Sequence, residues 1–187
     1  RVIQLNSMEN RVYEVEISLD YEPKSVSENF KIIKFYRPNR WTKEQIQEEH
    51  NFIHDLLEYE LQAIAPLKFD KQTLFTNPDG LYFALFDKKG GRAADEWTPP
   101  LLEQMGRLLA RMHNIGASKK ANHRLKLDID TFGKSNLDYL LRSNTIPLEF
   151  QTQYKEVCQE IFKISEPLFK NIDCIRVHGD CHHGNTL

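Results

Sequence analysis

The hydrophobic period of this chain changes once, and that change limits the possible folds more than any other feature. Up to Asp87 the apolar runs are short and rich in β-branched and aromatic residues: Val12 to Ile17, Phe30 to Tyr36, Leu67 to Phe69, Thr73 to Thr76 and Leu81 to Phe86. Such runs predict strands. The turn formers Pro23, Ser25, Ser27 and Asn29 separate the first two, which predicts an antiparallel hairpin. Asn77-Pro78-Asp79-Gly80 marks a turn between the last two. A single helix interrupts this half, opening at Thr42 with Gln45 three residues on, a capping-box spacing, and running to about Glu60.

Gly90, Gly91, Pro99 and Pro100 then break the pattern. Beyond them Leu101, Leu102, Met105, Leu108, Leu109 and Met112 recur at helical spacing, as do Phe150, Tyr154, Val157, Cys158, Ile161 and Phe162, and both stripes are expected in the core. Cys174 to Val177 predicts a brief strand leading into His178. The expectation is an α+β chain in two lobes: residues 1–87, an antiparallel sheet with one helix, and residues 88–187, mainly helical.

Composition narrows the function classes. At 187 residues and 40% hydrophobic, the chain can bury a real core. A net charge of -2 with both signs interspersed offers no basic face for nucleic acid. No apolar run approaches the roughly 18 residues of a membrane span, and the first residues lack the apolar region of a signal peptide. Cys158, Cys174 and Cys181 are odd in number and form no CxxC pair, which fits reduced thiols in a cytoplasmic protein, expected as a monomer. The chain opens at Arg1, so its native start is expected to be lost, which leaves the presence of a targeting segment open.

His178-Gly179-Asp180-Cys181-His182-His183-Gly184-Asn185 reads H-x-D-x-x-x-x-N, the spacing of a phosphoryl-transfer catalytic loop. The chemistry explains the spacing. One carboxylate must take or orient the proton of an attacking hydroxyl, and a neutral amide oxygen a few residues later holds a metal that bridges phosphates. Asp180 fits the base and Asn185 the metal ligand, and His182 stands where a contact to the transferred phosphate belongs. The competing readings are a chance His-rich turn and a zinc site of His178, Asp180, His182 and His183. Asp and Asn at this spacing, delivered by a strand, favour phosphoryl transfer.

Lys34 is a lone cation near the end of an apolar strand, sharing a face with Ile32 and Phe30. Ile32 would cover an adenine while Lys34 reaches the phosphates. Strand lysines are more often solvated, so the reading needs a partner. On the following helix, Ile46, Glu49, Ile53, Leu56 and Leu57 share one arc at about 100° per residue, with Glu48 nearly opposite. An inward carboxylate without a cation costs several kcal/mol, so Glu49 is expected to pair with Lys34.

Two further segments stay open between function and turn chemistry. Asn6 to Arg11, before the first long strand, is where a phosphate-covering loop belongs; it has no glycine, which leaves backbone N–H groups and the Ser7 hydroxyl. Leu85-Phe86-Asp87 ahead of Gly90-Gly91 is either a hinge that meets adenine, with Phe86 at its start, or a loop.

With these residues in hand, the chain resembles the phosphotransferase family that includes aminoglycoside phosphotransferases and choline kinases, whose catalytic box reads H-G-D-x-H-x-x-N; His178 to Asn185 matches it throughout. It is most similar to a bacterial branch acting as Ser/Thr protein kinases in envelope and oxidative stress responses. That likeness rests on Asn6 to Tyr13, Lys34 to Trp41, Glu48-Glu49-His50, Gly106 to His113 and the box. The resemblance implies a bilobal protein-kinase-like fold, ATP and Mg2+ as cofactors, Asp180 as proton acceptor, Asn185 as magnesium ligand, Ser7 and Lys34 near the nucleotide, and a protein partner bearing a Ser/Thr acceptor. Small-molecule hydroxyl kinases of the choline, homoserine or aminoglycoside type are the alternative, and a non-catalytic binding module is the third reading. The family's second acidic motif lies downstream of the box, whereas the sequence ends at Leu187. The expectation is therefore a fragment of a longer protein, with a magnesium site short of one carboxylate and little transfer of its own.

Overall fold

The computed structural model describes residues 1–91 and 95–185. Five antiparallel strands form one sheet: β1 (Val2–Leu5), β2 (Arg11–Glu16), β3 (Phe30–Phe35), β4 (Phe75–Thr76) and β5 (Tyr82–Asp87), in the order β1-β2-β3-β5-β4. The predicted hairpin is β2–β3, with Val12 opposite Lys34 and Glu14 opposite Ile32. Helix α1 (Lys43–Glu58) follows β3, and its N-terminus carries both bonds of the capping box between Thr42 and Gln45. It stops where Tyr59 caps it and Glu60 turns left-handed at φ 58°.

Side-chain alternation gives the sheet two different faces. Tyr36, Ala84, Ile46 and Leu74 form a buried cluster under α1, with Trp41, Tyr82 and Phe86 packed around it. The opposite face carries a row of rings, Tyr13, Phe35, Phe83, Phe75 and Phe69, with neighbouring centroids 5.5 to 6.1 Å apart.

Helix α2 (Pro99–Ala117) packs its C-terminal half against α1 through Met112 and Ile115, which join Leu56 and Leu61 in a second buried cluster. The sheet, α1, α2 and the segment from His178 to Asn185 belong to one compact unit, Arg1–Arg124 with Ile175–Leu187. Residues Leu125–Cys174 form a second unit, containing α3 (Ser135–Arg142) and α4 (Leu148–Ser165). Within it the ring of Phe162 lies so close to Gly133 that a Cβ there would meet it at 2.7 Å. No described helix is long and apolar enough to cross a membrane.

Four sequence expectations need correction. Leu67 to Phe69 is not a strand: Asp70 and Lys71 take positive φ and turn the chain back at once, leaving isolated bridges from Pro66 and Phe69. Cys174 to Val177 is not a strand either, because its backbone bond goes to a helix end, from Arg176 N–H to the Gly116 carbonyl. The α2 stripe is buried only toward its C-terminal end, and Leu102 stays half exposed. The α4 stripe is not core: α4 has no buried residue, and Phe150, Val157 and Ile161 are each more than half exposed, since no described element covers that face. One strand, β1, was not foreseen.

Candidate active site

Strand alternation turns Ile32, Lys34 and Tyr36 toward α1, and the β3–β5 register sets Lys34 beside Ala84 and Ile32 beside Phe86. The Lys34 Nζ donates to Glu49 Oε1 at 3.1 Å and sits 4.7 Å above the Tyr36 ring. Both partners of the pair are about one quarter exposed, so it is screened far less than a surface pair. Glu49 has a second partner: its Oε2 accepts from Arg124 Nη1 at 3.3 Å. The expected pair thus exists, with a cation that helical geometry alone did not reveal.

Beneath it runs a buried polar line. Tyr36 Oη lies 2.7 Å from His50 Nε2, and His50 Nδ1 lies 2.8 Å from Thr73 Oγ1, which also accepts from Gln47 Nε2. Burial pushes the His50 imidazole down to about 4, so it is neutral at pH 7. Burial also raises the Tyr36 phenol far above its ordinary value. A neutral imidazole has one donor and one acceptor nitrogen, so it serves both neighbours and fixes one α1 residue against β3.

Glu48 is not idle. Its carboxylate accepts backbone N–H bonds from Asn122, His123 and Arg124 at 2.7 to 2.9 Å. Partial burial raises this carboxyl, but the three donors outweigh it and hold it below the usual range. Sequence reasoning missed this because backbone donors leave no residue signature.

Seven residues beyond Glu48 on α1, Asp55 is buried and accepts from Arg176 Nη1 at 2.6 Å and Lys119 Nζ at 2.5 Å. Burial raises its carboxyl, and the bonds from Lys119 and Arg176 bring it back below its ordinary value. The Arg176 guanidinium also donates to the Ile115 carbonyl and lies 4.6 Å from the Phe52 ring. Gly116 admits this segment: a Cβ there would stand 2.0 Å from the Arg176 carbonyl oxygen. The stretch entering the catalytic loop is therefore pinned to α1 and to the end of α2.

Beyond that anchor the loop is built from its own residues. Gly179 takes φ 77°, a left-handed conformation that favours glycine. Asn185 Nδ2 donates to the Asp180 carbonyl at 2.8 Å and to Asp180 Oδ2 at 2.9 Å, with His182 Nε2 at 3.1 Å. Asp180 N–H donates to His178 Nδ1 at 3.2 Å. The structure thus gathers His178, Asp180, His182 and Asn185 in one exposed cluster and Lys34 and Glu49 in another. Among the described residues no hydrogen bond or ion pair joins the two sets.

The donor set is one of hard oxygens. With its NH2 group turned to Asp180, Asn185 has an amide oxygen that accepts no hydrogen bond among the described residues and lies next to a carboxylate, and that suits a hard divalent cation. No group of three or more His, Cys, Asp or Glu side chains assembles among the described residues, and the side chain of His183, one of the four zinc candidates, lies outside them.

Ser7 lies in the turn between β1 and β2, where its Oγ accepts the Asn10 N–H at 3.3 Å. This segment is tied to the β3–α1 connection: Glu9 Oε1 accepts from Trp41 Nε1 at 2.8 Å and from Arg40 Nε at 3.0 Å. Phe86 meets Pro66 as well as Ile32, and Asp87 pairs with Lys31 at 2.9 Å. Residues 92–94, just beyond Gly90-Gly91, lie outside the described residues. A cavity of about 440 Å³ at the β3–α1 turn is walled by Arg37, Arg40, Trp41, Gln45 and Tyr82 among others, and by none of Lys34, Glu49, Asp180 or Asn185.

Comparison with known proteins places this geometry. Over 184 residues, 98% of the chain, it is 34% identical to Stress response kinase A of Shigella flexneri and of Escherichia coli strain K12. It is 31% identical to the serine/threonine protein kinase RdoA of Salmonella typhimurium. The chain spans about half the length of these relatives, 53% of each. Its fold matches an amicoumacin kinase solved in complex with AMP-PNP, Ca2+ and Ami, at TM-score 0.74 and 21% identity over 98% of this chain and 54% of that one. A microcompartment-associated aminopropanol kinase matches at TM-score 0.54 and 19% identity over 71% of this chain and 41% of that one. The kinase-like architecture is thereby shown, and with a family model matching residues 2–187, the chain belongs to the phosphotransferase enzyme family.

Proposed function

We propose that this chain carries the nucleotide side and the catalytic loop of an ATP-dependent Ser/Thr protein kinase of a bacterial stress response. The observation that carries the reading is the Asp180–Asn185 couple. A carboxylate and an amide are held within 3 Å of each other on a glycine turn, and the same chain holds Lys34 against Glu49.

In this account residues 1–87 hold ATP and residues 88–187 present the acceptor chemistry. Ile32 and Phe86, side by side on one sheet face, cover the adenine. Lys34, kept in place by Glu49, neutralises phosphate charge. Ser7 stands in the turn that covers the phosphates. Asp180 orients the acceptor hydroxyl for in-line attack and receives its proton, and His182 sits beside the transferred group with His178 bracing the Asp180 backbone. Asn185 would hold Mg2+, which when bound neutralises the phosphate oxygens. The three free cysteines and the absence of a basic face fit a cytoplasmic monomer.

The names of the curated relatives favour a protein acceptor. The two structural neighbours carry names of small-molecule kinases, and they keep a small hydroxyl compound as the second reading. Transfer of labelled γ-phosphate from Mg·ATP by the full-length protein decides between them. Label on a general protein acceptor supports the first reading. Label only on small hydroxyl compounds moves the protein to the second, and label on neither removes both.

A further inference from the structure

One run of contacts is not used by the chemistry above. Arg124 is fixed twice, by its backbone N–H on Glu48 and by its side chain on Glu49. Its guanidinium lies 4.4 Å from the Trp41 ring, and that of Arg40 lies 4.8 Å from the same ring. Trp41 donates its Nε1–H to Glu9, and Arg40 donates to the same oxygen. Glu9 belongs to the turn that also holds Ser7. Two carboxylates and three cations therefore alternate around one indole, from Lys34 through Glu49 and Arg124 across Trp41 to Glu9 and Arg40.

We infer that Arg124 and Trp41 are positioning residues that join the seat of Glu49 on α1 to the phosphate-covering turn, so that the turn and the Lys34–Glu49 pair are set together. Donating from its edge while stacking by its face is what a guanidinium does and an ammonium does not, since its plane presents N–H groups at the edge and a flat face to the ring. Burial raises the Glu9 carboxyl and the bonds from Trp41 and Arg40 outweigh it, so the anion that anchors the turn is kept charged. Neither Arg124 nor Trp41 touches a reacting atom in this scheme; each acts through a carboxylate.

The inference rests on the nucleotide-binding reading, and the test separates the two. In the full-length protein, affinities for Mg·ATP and for adenosine are measured for wild type, Glu9→Gln, Arg124→Gln, the double variant and Trp41→Phe. Wild type that binds neither ligand removes the nucleotide reading itself. With wild-type binding in hand, each single variant is expected to weaken Mg·ATP by about tenfold and leave adenosine unchanged, because only the phosphates lie under the turn. The double variant should lose no more than the weaker single. Trp41→Phe keeps a stacking ring and the Glu49 pair while removing the donor to Glu9, so its ATP-specific loss does not depend on α1 remaining seated. Losses that multiply in the double variant, or that fall equally on adenosine and ATP, would overturn the coupling and leave Arg124 a structural staple.

Discussion

The Lys34 side of the site is held by bonds that span the sequence, whereas the Asp180 side is held by bonds that stay inside one loop. Lys34 reaches Glu49, Arg124 reaches the same carboxylate from 75 positions away, and Tyr36 locks to His50 under both. Among the described residues, Asp180, Asn185, His182 and His178 bond only within five positions of each other, and the Asp180 side chain is 76% exposed. The first arrangement exists only while the sheet and α1 are folded together. The second needs little more than the Gly179 turn and the Arg176 anchor. Damage to one should appear in stability, and damage to the other in chemistry alone.

Asp180→Asn tests the second half of that contrast and carries the largest expected effect. Removing the proton acceptor should lower turnover by about 10²- to 10⁴-fold while Mg·ATP affinity and the thermal midpoint stay at wild-type values. A midpoint lower by several degrees would show that the loop is part of the folded framework, and the contrast would fail.

Asp55→Ala probes the joint between the halves. It leaves Arg176, only 9% exposed, without its carboxylate, and breaking a buried pair in this way costs about 3–5 kcal/mol. Urea unfolding should register that loss, and a change below about 1 kcal/mol would mean that Lys119 and solvent already carry the charge. Stability should also depend on pH through His50. Its folded value, about 4, lies below the ordinary 6.5, so the unfolded chain binds more protons between these values. The stabilisation is fully present above pH 6.5 and is lost as pH falls toward 4, by about 3 kcal/mol in all. Asp55, held below its ordinary 3.8, begins to lose its share only at lower pH and stays outside that window. Folding stability that is flat from pH 7 to pH 4.5, or a slope unchanged in His50→Gln, would remove the buried line from the account. The smallest effect belongs to Thr42→Ala, which opens the capping box of α1 and should cost about 1 kcal/mol with turnover unaltered.

What the sequence showed and what it hid follow the same division. The glycine turn, the Asp–Asn spacing and the capping box are local, and local chemistry is written in neighbouring letters. The ion pair of Lys34 with Glu49 was legible because two periodicities, two for a strand and 3.6 for a helix, each point a charge into an apolar face. The Glu48 contacts were hidden, because a helical wheel says which side chains share an arc but not what lies across from it. Asp55 with Arg176 was hidden for another reason: the partners are 121 positions apart and neither belongs to a motif. The α4 stripe failed in the opposite sense. Its spacing predicts a buried face correctly as a helix, but burial needs a second surface, and none of the described elements provides it.

Three carboxylates of α1, Glu48, Glu49 and Asp55, grip three different parts of the unit along about 10 Å of axis. A twist of the helix by one residue, about 100°, would withdraw all three grips together. Intermediate seats are therefore poor ones, and α1 behaves as a bolt that is either home or drawn. Its amides should then exchange with solvent at one common rate set by whole-helix release, not along a gradient that frays inward from the ends.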